Sequence, residues 1–125
     1  MYGQELLLDV YDCDVTMFNR KDLTRYFIEL CDIIDMVRED LHFWDYEGVP
    51  EKDKPYDQPH LLGTSAVQFI RTSNIIIHTL DAYKAVLIDV FSCKEFDSEV
   101  VRKFTESFFK GKVGKSTLLE RGGRL

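Results

Sequence analysis

Residues 63–96 read GTSAVQFIRTSNIIIHTLDAYKAVLIDVFSCKEF. Three apolar runs sit close together here, over 65–71, 75–80 and 85–91, and each has the length and β-branched content of a strand. Asp81 to Lys84 is a four-residue turn, so the second and third runs form an antiparallel hairpin. Thr72, Ser73 and Asn74 are three polar residues between two apolar runs and read as a bend. Ser65 opens the first strand, His78 sits inside the second, and Cys93 follows the third. Taken singly, His78 reads as a buried, hydrogen-bonded histidine and Cys93 as a packing cysteine. Taken together with Ser73, they form an odd pattern for packing alone.

Outward from this stretch, residues 4–11 read as a strand, with Leu6, Leu8 and Val10 on one face. A helix follows over residues 20–38, because Leu23, Phe27, Leu30, Ile34 and Val37 recur at fours and threes, and Asn19 supplies its N-cap. Leu41 to Trp44 is a short strand. Residues 45–60 carry three prolines and seven charged residues, which is loop composition. That loop reads either as a solvated connection pinned by Tyr46 and Tyr56, or as a lid whose rings and carboxylates meet a cationic or flat ligand. Residues 98–110 form a second helix, capped by Asp97 and ended by Gly111, with Val101, Phe104 and Phe108 as its apolar face. A last short strand falls over 113–119. This order predicts one α+β domain spanning 1–125, a two-layer sandwich with both helices on one face of an antiparallel sheet.

With 125 residues and 45% apolar content, the chain can bury one core. A net charge of −6 with no basic stripe argues against nucleic acid as a partner. No apolar stretch is long enough to span a bilayer, and the N-terminus lacks a signal-peptide pattern. Three cysteines without a CxxC pair suit a reducing compartment, so the expectation is a cytoplasmic protein. Cys13 and Cys31 read as small core fillers. His42, His60 and His78 have no metal-ligand spacing, so no metal site is expected. The run GKVGKST at 111–117 imitates a phosphate loop, but Phe109 stands where its first glycine belongs.

The residues Ser65-Ala66-Val67, then Ser73, then Ile77-His78-Thr79, then Ile88-Asp89-Val90-Phe91-Ser92-Cys93 closely resemble the short prokaryotic, pyruvoyl-dependent S-adenosylmethionine decarboxylases. The 3–13 run GQELLLDVYDC is similar to that family's first strand. The resemblance covers nearly the whole chain except the 45–60 loop, which is longer than usual. It implies that Ser73 attacks the carbonyl of Thr72, cuts the chain there, and becomes a pyruvoyl group. That group would hold S-adenosylmethionine as a Schiff base and act as electron sink for loss of CO₂. Ser65 and His78 would assist processing, with His78 as the base, and Cys93 would protonate the carbanion. An unperturbed thiol, with a pKa of about 8.5, is mostly protonated at neutral pH and can donate. Phe43 and Trp44 would contact substrate. The product would be the aminopropyl donor for spermidine synthesis.

Two positions differ from the family pattern. Thr72 stands where a glutamate is usual, and Asn74 where a histidine is frequent. Cleavage needs only the carbonyl of residue 72, but threonine removes a carboxylate from the site. Arginine or ornithine is therefore an alternative substrate, and a non-catalytic homologue that binds a nucleoside through Phe43, Trp44 or Tyr46 is an alternative of another class. Ser73 and His78 are five residues apart, roughly 16 Å of extended strand, and an odd spacing puts them on opposite faces. They meet only through a bend at 72–74 or across two copies. The resemblance implies a homodimer, in which Ser65 and His78 of one protomer complement Ser73 and Cys93 of the other.

Overall fold

Strand alternation lays down the apolar layer first. In the computed structural model, which describes residues 2–125, β1 (Gly3–Tyr11) turns Leu6, Leu8 and Val10 inward, and all three are fully buried. The other strands are β2 (Arg38–Trp44), β3 (Ser65–Ile70), β4 (Ser73–Leu80), β5 (Ala85–Ser92) and β6 (Lys112–Arg121). They form one six-stranded sheet in the order β2-β3-β4-β5-β1-β6, every neighbouring pair antiparallel. Helices α1 (Arg20–Ile33) and α2 (Ser98–Phe109) cover one face, and the expected α+β sandwich is observed. The GKVGKST run lies within and just before β6, paired along β1, and forms no phosphate loop.

The two helices meet each other through aromatic packing. Tyr26 of α1 is fully buried, stacks on Phe104 of α2 at 5.4 Å, and touches Phe108 and Phe109 edge-on or tilted. Its hydroxyl bonds to Thr105 Oγ1 at 2.7 Å, also fully buried. Tyr26→Phe leaves the buried Thr105 hydroxyl without this partner, so urea unfolding is expected to show a loss of about 1–3 kcal/mol. Cys13 and Cys31 fill the core, as expected, and burial pushes each thiol up to about 11.

Several boundaries differ from the expectation. α1 ends at Ile33 rather than at residue 38, since Asp35 turns left-handed (φ 55°) and β2 begins at Arg38. Val37, which continued the helical spacing by coincidence, is exposed. β2 is bulged between Arg38 and Leu41. The fully buried Gln68 satisfies the freed backbone there: its amide donates to the carbonyls of Glu39 (2.9 Å) and Asp40 (3.3 Å). At the end of α2 the left-handed residue is Lys110 (φ 54°), not Gly111. Asn19 and Asp97 cap the two helices as read, accepting from Asp22 N–H and from Glu99 and Val100 N–H.

Among the described residues, no layer packs on the sheet's second face. Leu7, Trp44, Phe69 and Leu119 point onto it and are exposed. In the middle of this face lies Asp89, flanked in register by Leu7 and Ile76.

Candidate active site

The β3–β4 connection is a two-residue turn, Arg71 and Thr72, closed by the Ile70–Ser73 pair. This corrects the bend expected at 72–74: Ser73 is the first residue of a regular strand. Thr72 adopts φ 55°, a left-handed conformation. That region costs an L-residue about 1–2 kcal/mol, and a β-branched one is a true outlier there. The Thr72 hydroxyl donates to the Arg71 carbonyl at 2.7 Å.

Ser73 faces the helix side of the sheet and is only 6% exposed. Cys93 reaches it because β5 runs alongside β4 and ends at Ser92. The Ser92 hydroxyl accepts from Lys94 N–H at 3.1 Å and donates to the Lys94 carbonyl at 2.7 Å, which folds the chain tightly around Cys93. Gly3 packs behind this turn, where a Cβ would lie 2.0 Å from the Ser92 carbonyl oxygen. The Cys93 amide then donates to Ser73 Oγ at 2.8 Å, and the thiol lies 3.9 Å from the Arg71 carbonyl. The hydroxyls of Thr72 and then Ser73 hold the Cys93 thiol below its ordinary value, so it is not the unperturbed thiol expected. These groups open into a cavity of about 170 Å³ lined by Val37, Ile70, Arg71, Ser73, Cys93 and Lys94. At its rim Arg71 pairs with Glu39 at 3.1 Å, and Lys94 Nζ donates to the Asp35 carbonyl at 2.6 Å.

A second pair stands elsewhere. Ser65 and His78 are register partners on β3 and β4, and Ser65 Oγ lies 2.8 Å from His78 Nδ1. His78 is exposed on the open sheet face rather than buried, contrary to its reading in isolation. Trp44 pairs with Ser65 and Leu87 with His78, so one row of side chains crosses four strands. A hollow of about 430 Å³ opens over this row, with Tyr46 and His60 at its edge. Tyr46 is held by its hydroxyl donating to the Leu61 carbonyl at 2.8 Å, and its ring meets Trp44 edge-on at 5.2 Å.

The sequence-predicted residues thus fall into two groups. Ser73, Thr72 and Cys93 gather at one end of the hairpin, and Ser65, His78 and Trp44 gather on the open face. Phe43 joins neither: it packs on the core under the Arg20 guanidinium, 5.5 Å from its ring centre. Three carboxylates of the 45–60 loop are paired, two of them to helix α1. Asp45 and Glu47 both meet Arg20, at 2.7 and 2.9 Å, and Glu51 takes Lys54 and the Tyr56 hydroxyl. Among the described residues, no group of three His, Cys, Asp or Glu side chains gathers to hold a metal ion, and no helix is long and apolar enough to cross a membrane. The supporting contacts of Ser92, Gln68 and Gly3 were not read from the sequence: Ser92 and Gly3 stand inside the runs that carry the resemblance, but nothing in the spacing of the three marks what they touch.

Asp89 is the strongly perturbed carboxyl of the open face. Burial, and then the Glu5 carboxylate beside it, raise its pKa from 3.8 to about 6, while Arg121, which pairs with Glu5, opposes the shift. Its Oδ1 is buried without a hydrogen-bond partner among the described residues. The folded chain therefore keeps a proton up to about pH 6 that the unfolded chain releases near pH 4, so stability falls as pH rises through that window. Asp89→Asn is expected to raise Tm by several degrees above pH ~7 and to leave it unchanged below pH ~4, as read by thermal melts across pH.

The crystal structure of the adenosylmethionine decarboxylase from Aquifex aeolicus VF5 superposes with a TM-score of 0.72 over 97% of this chain and 91% of that one. At 18% identity it speaks for the shared fold. The family model for S-adenosylmethionine decarboxylase matches residues 4–122. Since that match takes in both side-chain groups and nearly every element between them, the chain belongs to the S-adenosylmethionine decarboxylase family.

Proposed function

We propose that this chain is a self-processing, pyruvoyl-dependent decarboxylase of S-adenosylmethionine that works as a homodimer and supplies the aminopropyl donor for spermidine synthesis. The observation that carries the reading is the setting of Ser73: a nearly buried hydroxyl, held by the Cys93 amide at 2.8 Å and adjoining the left-handed Thr72.

In this reading Ser73 Oγ attacks the Thr72 carbonyl carbon, and the chain divides between the two residues. His78 removes the Ser73 α-proton, and Ser65 orients His78 through the 2.8 Å contact to Nδ1. Ser73 and His78 lie on opposite faces of one regular strand, so the His78 that serves Ser73 belongs to a second copy. The open sheet face, with its exposed apolar side chains, is the surface that second copy covers, and its Ser65–His78 pair would approach the Thr72–Ser73 peptide at the exposed Arg71–Thr72 turn, at the sheet's end.

The surroundings of Ser73 suit a pyruvoyl group made from it. Ile70 and Val37 keep the cavity apolar, and the Cys93 amide is a donor that loses its present acceptor when Oγ departs. Such a group supplies an electron sink for the loss of CO₂. Cys93 delivers the proton that replaces the carboxylate. One of the two hydroxyls that favour its thiolate disappears with Ser73, which returns the thiol toward its protonated form. Trp44, beside the Ser65–His78 pair, offers its ring to the flat part of the substrate.

The test is release of CO₂ from carboxyl-labelled S-adenosylmethionine, with arginine and ornithine in parallel. Release from S-adenosylmethionine alone is expected. Release only from arginine or ornithine moves the substrate and keeps the machinery. Binding of S-adenosylmethionine without any chain cleavage would replace the enzyme by a non-catalytic nucleoside-binding homologue.

A further inference from the structure

Seven described residues take a left-handed backbone: Asp12, Asp35, Gly48, Thr72, Lys84, Lys110 and Gly122. Six are glycine, aspartate or unbranched lysine. Thr72 alone is β-branched, and its second backbone carbon belongs to the peptide that the proposed processing cuts. Its surroundings hold it there. Ile70 and Ser73 pair beneath the turn, Arg71 N–H reaches the Val37 carbonyl at 3.4 Å, the Arg71 carbonyl receives the Thr72 hydroxyl at 2.7 Å, and the Cys93 amide fixes Ser73 Oγ at 2.8 Å. Strain of this kind persists only where neighbouring structure over-determines the conformation.

We propose that Thr72 is a positioning residue for chain cleavage: its left-handed backbone stores strain in the turn, and the shift of its acyl group to Ser73 Oγ releases that strain. This rests on the self-processing reading above. In the shift a bond forms between Ser73 Oγ and the Thr72 carbonyl carbon, the bond from that carbon to Ser73 N breaks, and the Oγ proton ends on the freed amine. The path from the Thr72 carbonyl carbon to Ser73 Cα then runs through Oγ and Cβ instead of through N alone. It is one atom longer, and the two-residue turn slackens. An ester is less stable than the amide it replaces, so the shift is uphill, and strain in the starting peptide raises the share of ester. Later steps draw on that ester, so the whole cleavage rate rises with it. Thr72 brings no carboxylate to the site, and its effect is conformational.

The test separates strain from chemistry and from folding. Asparagine tolerates the left-handed region, whereas valine keeps the β-branch and loses the hydroxyl. Thr72→Asn is expected to slow cleavage about tenfold, and Thr72→Val to stay within about threefold of the parent. In an uncleavable Ser73→Ala background, Thr72→Asn is expected to raise Tm by about 3–6 °C. A residue that merely supports the fold would lose stability and cleavage together. The inference is overturned if Thr72→Asn cleaves at the parental rate, if Thr72→Val is as slow as Thr72→Asn, or if Thr72→Asn lowers Tm. A parent chain that never cleaves would remove the self-processing reading first, and this inference with it.

Discussion

Cys93→Ala is expected to divide still between Thr72 and Ser73, while CO₂ release by the divided protein is expected to fall about 10²–10⁴-fold. Two groups of Cys93 meet this site, its backbone amide and its thiol. The backbone amide of Cys93 holds Ser73 Oγ at 2.8 Å, and alanine keeps that amide. The fold around it depends on Ser92, which bridges the amide and carbonyl of Lys94 and is untouched. What alanine removes is the thiol lining the cavity, the group that in the proposed reaction returns a proton after CO₂ leaves. Cys93→Ser should recover little, because an alcohol is a far weaker acid than a thiol at the same position. The readouts are a denaturing gel for cleavage and labelled CO₂ for turnover. Loss of cleavage in Cys93→Ala with normal turnover of the residual divided fraction would reverse the assignment.

His78→Ala is expected to have the opposite signature: cleavage slowed about 10²–10⁴-fold with little change in Tm. His78 is exposed, and its partner in the structure is Ser65, so its removal opens no core cavity. In the homodimer proposed above, His78 serves Ser73 of the partner subunit. Ser73 and His78 sit on opposite faces of β4, roughly 16 Å apart along the strand. Mixing His78→Ala chains, which keep Ser73, with Ser73→Ala chains, which keep His78, should therefore restore cleavage of the former. Half of the mixed sites then hold a complete set. If His78→Ala alone cleaves at the parental rate, or if mixing restores nothing although mixed dimers form, the shared site is wrong.

How much of this was legible in the sequence depends on the kind of signal. The sheet and its helical cover follow from alternation and from repeats at threes and fours, which is why Leu6, Leu8, Val10, Leu23, Phe27 and Leu30 were placed in the core correctly. Strand order was not legible: β1 sits between β5 and β6, a consequence of long-range pairing that no local pattern encodes. Helix α1 was read too long because Val37 falls on the helical spacing even though Asp35 has already turned the chain. Ser73 was read into a bend because Thr72-Ser73-Asn74 is polar, whereas a left-handed Thr72 makes the turn tight enough for Ser73 to pair. The odd spacing of Ser73 and His78 did carry structural information: it placed them on opposite faces, and the regular strand leaves them there. The perturbation of the Cys93 thiol is not legible in the sequence because the hydroxyls that cause it, Thr72 and Ser73, come from the β3–β4 turn and the start of β4. Membership of the family was legible through motif spacing, and the family match over residues 4–122 bears it out.

The measurement that bears most directly on the central claim is the intact mass of freshly purified protein under denaturing conditions. The account predicts two fragments, residues 1–72 and 73–125, the second lighter by one ammonia than simple hydrolysis would leave it because Ser73 has become a ketone. A single species at the full 14.6 kDa of this chain would contradict it.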